Sequence, residues 1–262
     1  MNKEILKNIE LFLLDLDGTI YLDDDVFDGV YEFLDKIIKN NKKYIFLTNN
    51  SSKDKYAYIE KLNRLKIKAD ETNIFTSGMA MGIYLQDNYK DKTVYLVGTK
   101  ALKRELEAYN IKLTDNNPDI VLVGFDRELT YKKLEKACEF LDNGAIFLAT
   151  NTDYVCPIKN KRYIPDCASI CDMITNATKK KPKYIGKPDP YMINILSEKL
   201  NISKDKILVI GDRMYTDIKS GVNAKCHTVC VLSGESTMKT IDESDCKPDF
   251  ILNSVKDLID LI

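Results

Sequence analysis

The chain has a single histidine, no CxxC pair, no long apolar run and almost no net charge. Each of these lacks excludes a class of function. One histidine, His227, rules out any site built on two histidine ligands, HExxH among them, and a Ser-His-Asp triad would have to pass through it. At the start of a strand, His227 reads as an ordinary core or surface residue. The seven cysteines (138, 156, 167, 171, 226, 230 and 246) are odd in number and unpaired in spacing, which predicts reduced thiols rather than disulfides or a zinc cage. Lys and Arg number 39 against 40 Asp and Glu, which removes the basic footprint of a nucleic-acid binder. No stretch approaches the roughly 18 apolar residues of a membrane span. Residues 1–10 are mixed in charge and lack the apolar centre of a signal peptide, so a cytoplasmic setting is expected.

What is present is enough apolar material for real cores: 44% of 262 residues are hydrophobic, sufficient for one large domain or two small ones. Short apolar runs alternate with amphipathic stretches. Strands are predicted over 11–16, 44–47, 73–75, 94–97, 120–123, 145–149, 207–210, 228–232 and 250–252, with helices over 30–39, 53–65 and 257–262. In the first helix Val30, Phe33, Leu34, Ile37 and Ile38 are read as one face. This alternation predicts an α/β fold with a doubly wound parallel sheet. The middle third has its own β-α-β-α-β run and none of the dense carboxylate motifs. It is read as an inserted domain (79–182) within a core formed by 1–78 and 183–262. The Lys-rich run 179–183, with Pro182, reads as a solvated return linker. Asp23, Asp24 and Asp25 read as a solvated loop, and the 15 tyrosines form no stacking stripe.

Four motifs carry chemistry, each placed just after a predicted strand, where open α/β sheets bind ligands. Asp15-Leu16-Asp17-Gly18-Thr19 follows an apolar strand. Its two carboxylates repel unless a cation or a shared proton compensates them. Taken alone it is equally a solvated strand-end turn. Thr48-Asn49-Asn50-Ser51-Ser52 offers a hydroxyl, amides and an anion-binding helix start, and alone reads as simple capping. Gly186-Lys187-Pro188-Asp189-Pro190 holds a lysine on a stiff turn, which alone reads as exposed. Gly211-Asp212-Arg213-Met214-Tyr215-Thr216-Asp217 supplies two further carboxylates of the kind that suit Mg²⁺. The alternative there is N-capping by Asp212, while Arg213 either meets a substrate anion or simply begins the helix.

In their order and chemical complementarity these motifs resemble the haloacid dehalogenase superfamily of phosphohydrolases. Asp15 and Asp17 are similar to its first motif, Thr48 to its second, Lys187 to its third, and Asp212 with Asp217 to its fourth. The runs LTNNSS, ATNTD at 149–153, GKPDP and GDRMYTDI are similar to subfamily IIA, which contains NagD-type, p-nitrophenylphosphatase-type and pyridoxal-phosphate-phosphatase-type enzymes. The resemblance implies a Rossmann-like core with an α/β cap of type C2, and a small-molecule phosphate ester as partner. It further implies relatives that dimerise through the cap. Neither nucleic acid nor membrane is expected as a partner.

The resemblance also implies roles. Asp15 is the expected nucleophile and Asp17 the acid and base. Mg²⁺ is expected on Asp15, the main-chain carbonyl of Asp17, and Asp212. Gly18, Thr48, Asn49 and Lys187 are expected to hold the phosphoryl oxygens, with Asp217 behind Lys187. An acid two residues after the nucleophile favours phosphoryl over halide chemistry, because a halide leaves unprotonated. Asn151, Asp153 and Tyr154 are the cap residues expected near the leaving group. Phosphoryl transfer to a sugar, or ligand binding without turnover, are the competing readings. The sequence departs from the family at Thr152, where proline is usual. It departs again at 165–169, where a Gly-rich turn is usual, and at Lys225, where glycine is common.

Overall fold

The computed structural model describes residues 3–158 and 162–262. In chain order the elements begin with α1 (Lys3–Asn8), β1 (Leu11–Leu14), β2 (Tyr21–Leu22), β3 (Asp25–Val26), α2 (Val30–Lys39), β4 (Lys43–Thr48), α3 (Lys55–Arg64) and β5 (Ile74–Thr76). There follow α4 (Ser77–Asn88), β6 (Thr93–Val97), α5 (Lys100–Ala108), β7 (Lys112–Leu113), β8 (Ile120–Val123), α6 (Tyr131–Asp142) and β9 (Ile146–Ala149). The remainder are β10 (Val155–Ile158), β11 (Arg162–Pro165), α7 (Cys167–Thr178), β12 (Lys183–Tyr184), α8 (Tyr191–Leu200), β13 (Ile207–Gly211), α9 (Lys219–Ala224), β14 (His227–Val231), α10 (Met238–Glu243) and β15 (Phe250–Leu252). They form two compact units.

The first unit comprises residues 1–48, 59–75 and 187–262. Its six-stranded sheet has the order β15-β14-β13-β1-β4-β5. All four residues of β1 are buried, as a parallel strand covered on both faces requires. Leu14, the last residue of β1, pairs with both Phe46 of β4 and Ile210 of β13, so the three strands run side by side toward their carboxyl ends. The order reverses beside β1: the chain proceeds outward through β4 on one side and through β13, β14 and β15 on the other. Such a reversal opens a crevice at the strands' carboxyl ends. Helix α2 buries Val30, Phe33, Leu34 and Ile37. Ile38 is 53% exposed and is not on that face, because one helical step rotates it about 100° from Ile37.

The second unit comprises residues 49–58 and 76–186. Its five-stranded sheet, order β12-β9-β8-β6-β7, is parallel throughout. Val97, Val121, Val123, Phe125, Leu141 and Ile174 build its core with α6 and α7. The hairpin β10–β11 is antiparallel. Residues 49–58 belong here because their polar side chains are satisfied here. Ser51 Oγ shares a hydrogen bond with Thr150 Oγ1 (2.8 Å) and accepts one from Phe125 N (2.9 Å). The run 179–183 is not linker throughout: Lys183 pairs with Leu148 in the sheet.

One local expectation is corrected. Residues 257–262 form no helix; a short 3₁₀ turn, Val255–Leu258, stands nearby. There Ser254 Oγ accepts from Lys256 N, and the Asp257 carboxylate accepts from Asn253 N, competing with helical bonding. The acidic run is solvated as expected: Asp24 and Asp25 are exposed, Asp25 in the hairpin β2–β3 with Asp23 at its tip in the left-handed region (φ 54°), and Asp24 lies 3.0 Å from Arg64. Among the described residues no helix is long and apolar enough to cross a membrane.

Candidate active site

The carboxyl ends of β1, β4 and β13 carry the buried charges of the first unit. Lys187 precedes α8 and is buried, not exposed. Its Nζ donates to Asp15 Oδ1 (2.6 Å), to Asp217 Oδ1 (2.5 Å) and to the main-chain oxygen of Leu47 (3.0 Å). Three donors thus meet three acceptors. Burial by itself would lower the lysine's proton affinity, but the two carboxylates outweigh it and hold the ammonium above its ordinary value. Burial pushes the Asp15 carboxyl well up, reinforced by Asp217 and opposed by Lys187.

Asp212 is buried directly after β13 and does not cap a helix. Its Oδ2 accepts from Glu235 N (2.7 Å), while its Oδ1 is buried with no hydrogen-bond partner. Burial and the nearby Asp217 raise its pKa to about 7, against the lowering effect of Arg213. Asp15, Asp212 and Asp217 bring oxygens within 4.8 Å of one another. Asp217 is already committed: Oδ1 to Lys187 and Oδ2 to Arg213 N (3.1 Å). The spare donor capacity therefore falls on Asp212 and Asp15, an all-oxygen set that fits a hard divalent cation.

Local backbone geometry makes this crowding possible. Gly18 has φ +99°, and a Cβ there would run into the Asp212 carboxylate. A Cβ at Gly234 would run into the same carboxylate. Residues Met214–Ile218 form a π-helical turn, with Ile218 N bonded to Arg213 O five residues back (3.2 Å). That wider turn carries the Asp217 carboxylate back to Arg213 N.

Asp17 is half-buried on the turn after Leu16 and bridges to Tyr21. Thr48 is buried as the last residue of β4. Arg213 pairs with Glu235 (Nε to Oε2, 3.1 Å). His227 begins β14 with Nδ1 3.5 Å from Asp249. Asn49 falls in the second unit, where its Nδ2 donates to Asp153 Oδ2 (2.9 Å). Asn151 and Asp153 are buried, whereas Tyr154 is 58% exposed. The motif 48–52 does not cap α3: Asp54 Oδ1 does so, accepting from Ala57 N (3.0 Å).

Sequence reasoning missed the loop 233–236. Ser233 Oγ donates to Gly18 O (2.8 Å), and Glu235 N and Ser236 N donate to Asp212. The available signal was Ser233-Gly234 directly after a strand.

Comparison with known proteins places these features in company. A haloacid dehalogenase-like hydrolase model matches residues 12–112, and an HAD-hydrolase-like model matches 184–258. An acid sugar phosphatase of Staphylococcus haemolyticus is 34% identical over 97% of this chain and 95% of its own. Phosphoglycolate phosphatase 1A of Arabidopsis thaliana chloroplasts is 32% identical over 98% of this chain and 78% of its own. Among solved structures, 4-nitrophenylphosphatase from Thermotoga maritima superposes with a TM-score of 0.94, 38% identity and 98% coverage of both chains. NagD from Escherichia coli K-12 gives 0.89 and 32%, covering 97% of this chain and 99% of that one.

Proposed function

The chain belongs to the haloacid dehalogenase-like hydrolase family and is a phosphatase; from that premise we propose that it hydrolyses small-molecule phosphate monoesters through an aspartyl-phosphate. The observation that carries the reading is Lys187 Nζ fixed between Asp15 and Asp217, two carboxylates gathered within 4.8 Å of Asp212, one of whose oxygens has no hydrogen-bond partner.

Asp15 forms the bond to phosphorus as the ester oxygen leaves with a proton from Asp17. Asp17 then takes a proton from water, whose oxygen attacks phosphorus and returns Asp15 as a carboxylate. Splitting the displacement in two lowers each barrier. Lys187 offsets the charge that collects on Asp15 and the phosphoryl oxygens, and burial strengthens that effect. Asp217 holds the lysine in place. The Thr48 hydroxyl and the main-chain amides of Gly18 and Asn49 take the phosphoryl oxygens. Asp15, Asp212 and the main-chain carbonyl of Asp17 would hold Mg²⁺, which supplies charge neutralisation between anionic nucleophile and anionic ester. The second unit is proposed as a cap that restricts which esters enter. The names of the relatives support sugar phosphates and phosphoglycolate as the first substrates to test. A homodimer, checked by light scattering, and a cytoplasmic location belong to the same reading. The seven free thiols support the reducing compartment.

The test is phosphate release from p-nitrophenyl phosphate with Mg²⁺, lost on adding EDTA and lost in Asp15→Asn. Full activity in Asp15→Asn would sink the assignment of the nucleophile.

A further inference from the structure

In the second unit the crevice at the carboxyl ends of β6, β8 and β9, where an open sheet receives a ligand, is filled by the chain's own residues 49–52. Beyond β6, Thr99 Oγ1 donates to Ser52 O (3.0 Å). Beyond β8, Phe125 N donates to Ser51 Oγ, and beyond β9 Thr150 Oγ1 bonds the same atom. Asn49 is held hardest. Its main-chain oxygen accepts from Asn151 Nδ2 (2.9 Å) and from Ser77 Oγ (2.6 Å), and its side-chain Nδ2 donates to Asp153 Oδ2 (2.9 Å). Asn151 Nδ2 also reaches Asp153 Oδ2 (3.2 Å) and Asp166 Oδ1 (3.3 Å). Asn151 Oδ1, by contrast, is buried with no hydrogen-bond partner, so what this amide contributes is its Nδ2. Asn151 is 0% exposed and Asp153 4%.

We propose that Asn151 and Asp153 are positioning residues that clamp Asn49, and with it the Thr48–Asn49 peptide, rather than groups that touch the leaving group. The inference rests on the phosphatase reading, in which the Thr48 hydroxyl and the Asn49 amide take phosphoryl oxygens. Bonds on the main-chain oxygen and on the side chain together fix the residue against rotation. Donors that must meet a developing charge need that fixity before substrate arrives. The departure at Thr152 leaves the clamp intact, because the residues on either side supply it.

The two roles separate experimentally. A leaving-group contact changes with the ester, whereas a phosphoryl-pocket clamp acts on every ester and on inorganic phosphate alike. The variants are Asn151→Ala, Asp153→Ala, Asp153→Asn and, as a milder cut from the other side, Ser77→Ala. The readouts are kcat and KM on p-nitrophenyl phosphate, a sugar phosphate and phosphoglycolate, calorimetric affinity for inorganic phosphate, and melting temperature. The three alanine variants should lose about tenfold or more in kcat/KM, by one common factor across the esters, with weakened phosphate binding. Asp153→Asn should recover most of the activity, since its amide oxygen still accepts from Asn49. Loss confined to one ester, equal loss in Asp153→Asn and Asp153→Ala, or unchanged phosphate affinity in Ser77→Ala and Asn151→Ala each overturns the clamp. A wild-type chain that turns over none of the esters overturns the phosphatase reading instead.

Discussion

At the scale of single residues, the molecule is most exposed to change at Lys187. Removing its ammonium leaves Asp15 and Asp217 buried together with no counter-charge. Lys187→Met is therefore expected to abolish activity and to cost about 3–5 kcal/mol in denaturant unfolding. The deficit should shrink toward pH 5, because the Asp15 carboxyl, which burial already pushes up, holds its proton in the fold at a pH where the unfolded chain has released it. An equal deficit at pH 5 and pH 8 would contradict this. Lys225 is the opposite case. It ends α9 in the left-handed region, with φ 63°, and its side chain is exposed. Lys225→Gly relieves the Cβ strain and should stabilise by about 0.5–1 kcal/mol, read as a small rise in melting temperature. This explains why glycine suits the position without any appeal to catalysis.

At the scale of elements, two short pieces of backbone do more than their length suggests. The π-helical turn 214–218 turns a five-residue spacing, which an α-helix would place on different faces, into a returning carboxylate. Helix α5 presents a buried Glu105. Its Oε1 accepts from Lys55 N (3.0 Å) at the start of α3, and its Oε2 accepts from Thr76 Oγ1 (2.7 Å) at the start of α4. Burial raises this carboxyl to about 7. Between pH 4.5 and 7 the unfolded chain has lost the proton while the fold keeps it, so this group makes stability fall as pH rises. Glu105→Gln keeps an acceptor for Lys55 and removes the charge. It should flatten that slope and gain about 1–3 kcal/mol above pH 7. Melting curves at pH 5 and pH 8 decide it: equal slopes in variant and wild type would show that Glu105 does not titrate there.

At the scale of the whole molecule, the site of the first unit is assembled from strands distant in sequence. Asp15, Lys187 and Asp212 come from the two ends of the chain and meet because β1 lies between β4 and β13. An assembly of buried acids implies linkage between folding and a divalent cation: an ion that binds only the fold raises its melting temperature by mass action. Mg²⁺ should therefore raise the melting temperature of the wild type and leave Asp212→Ala unmoved. A shift of equal size in both would place the cation elsewhere. Much of the plan was legible in advance, because alternating apolar runs and helical periods follow from burial on both faces of parallel strands. The predicted strand over 120–123 is the observed β8, and the predicted helix over 30–39 is the observed α2. The short pieces were not legible. β2, β3, β7 and β12 have two residues each, too few to show a period, and exist only through their partners. The terminal run 257–262 carried a helical pattern too short to nucleate without support.

The sequence by itself determined the class of fold and the four motifs, since residue type and local spacing decide those. Only the tertiary structure decided which groups meet. It buried Lys187, which alone reads as an exposed turn. It removed Asp212 from a capping role and brought in the loop 233–236. It also drew residues 49–58 into the second unit and placed Asn151 and Asp153 against Asn49. The physical reason is the same in each case. A buried polar group must find its partner wherever the fold brings one, and that partner is seldom a neighbour in sequence.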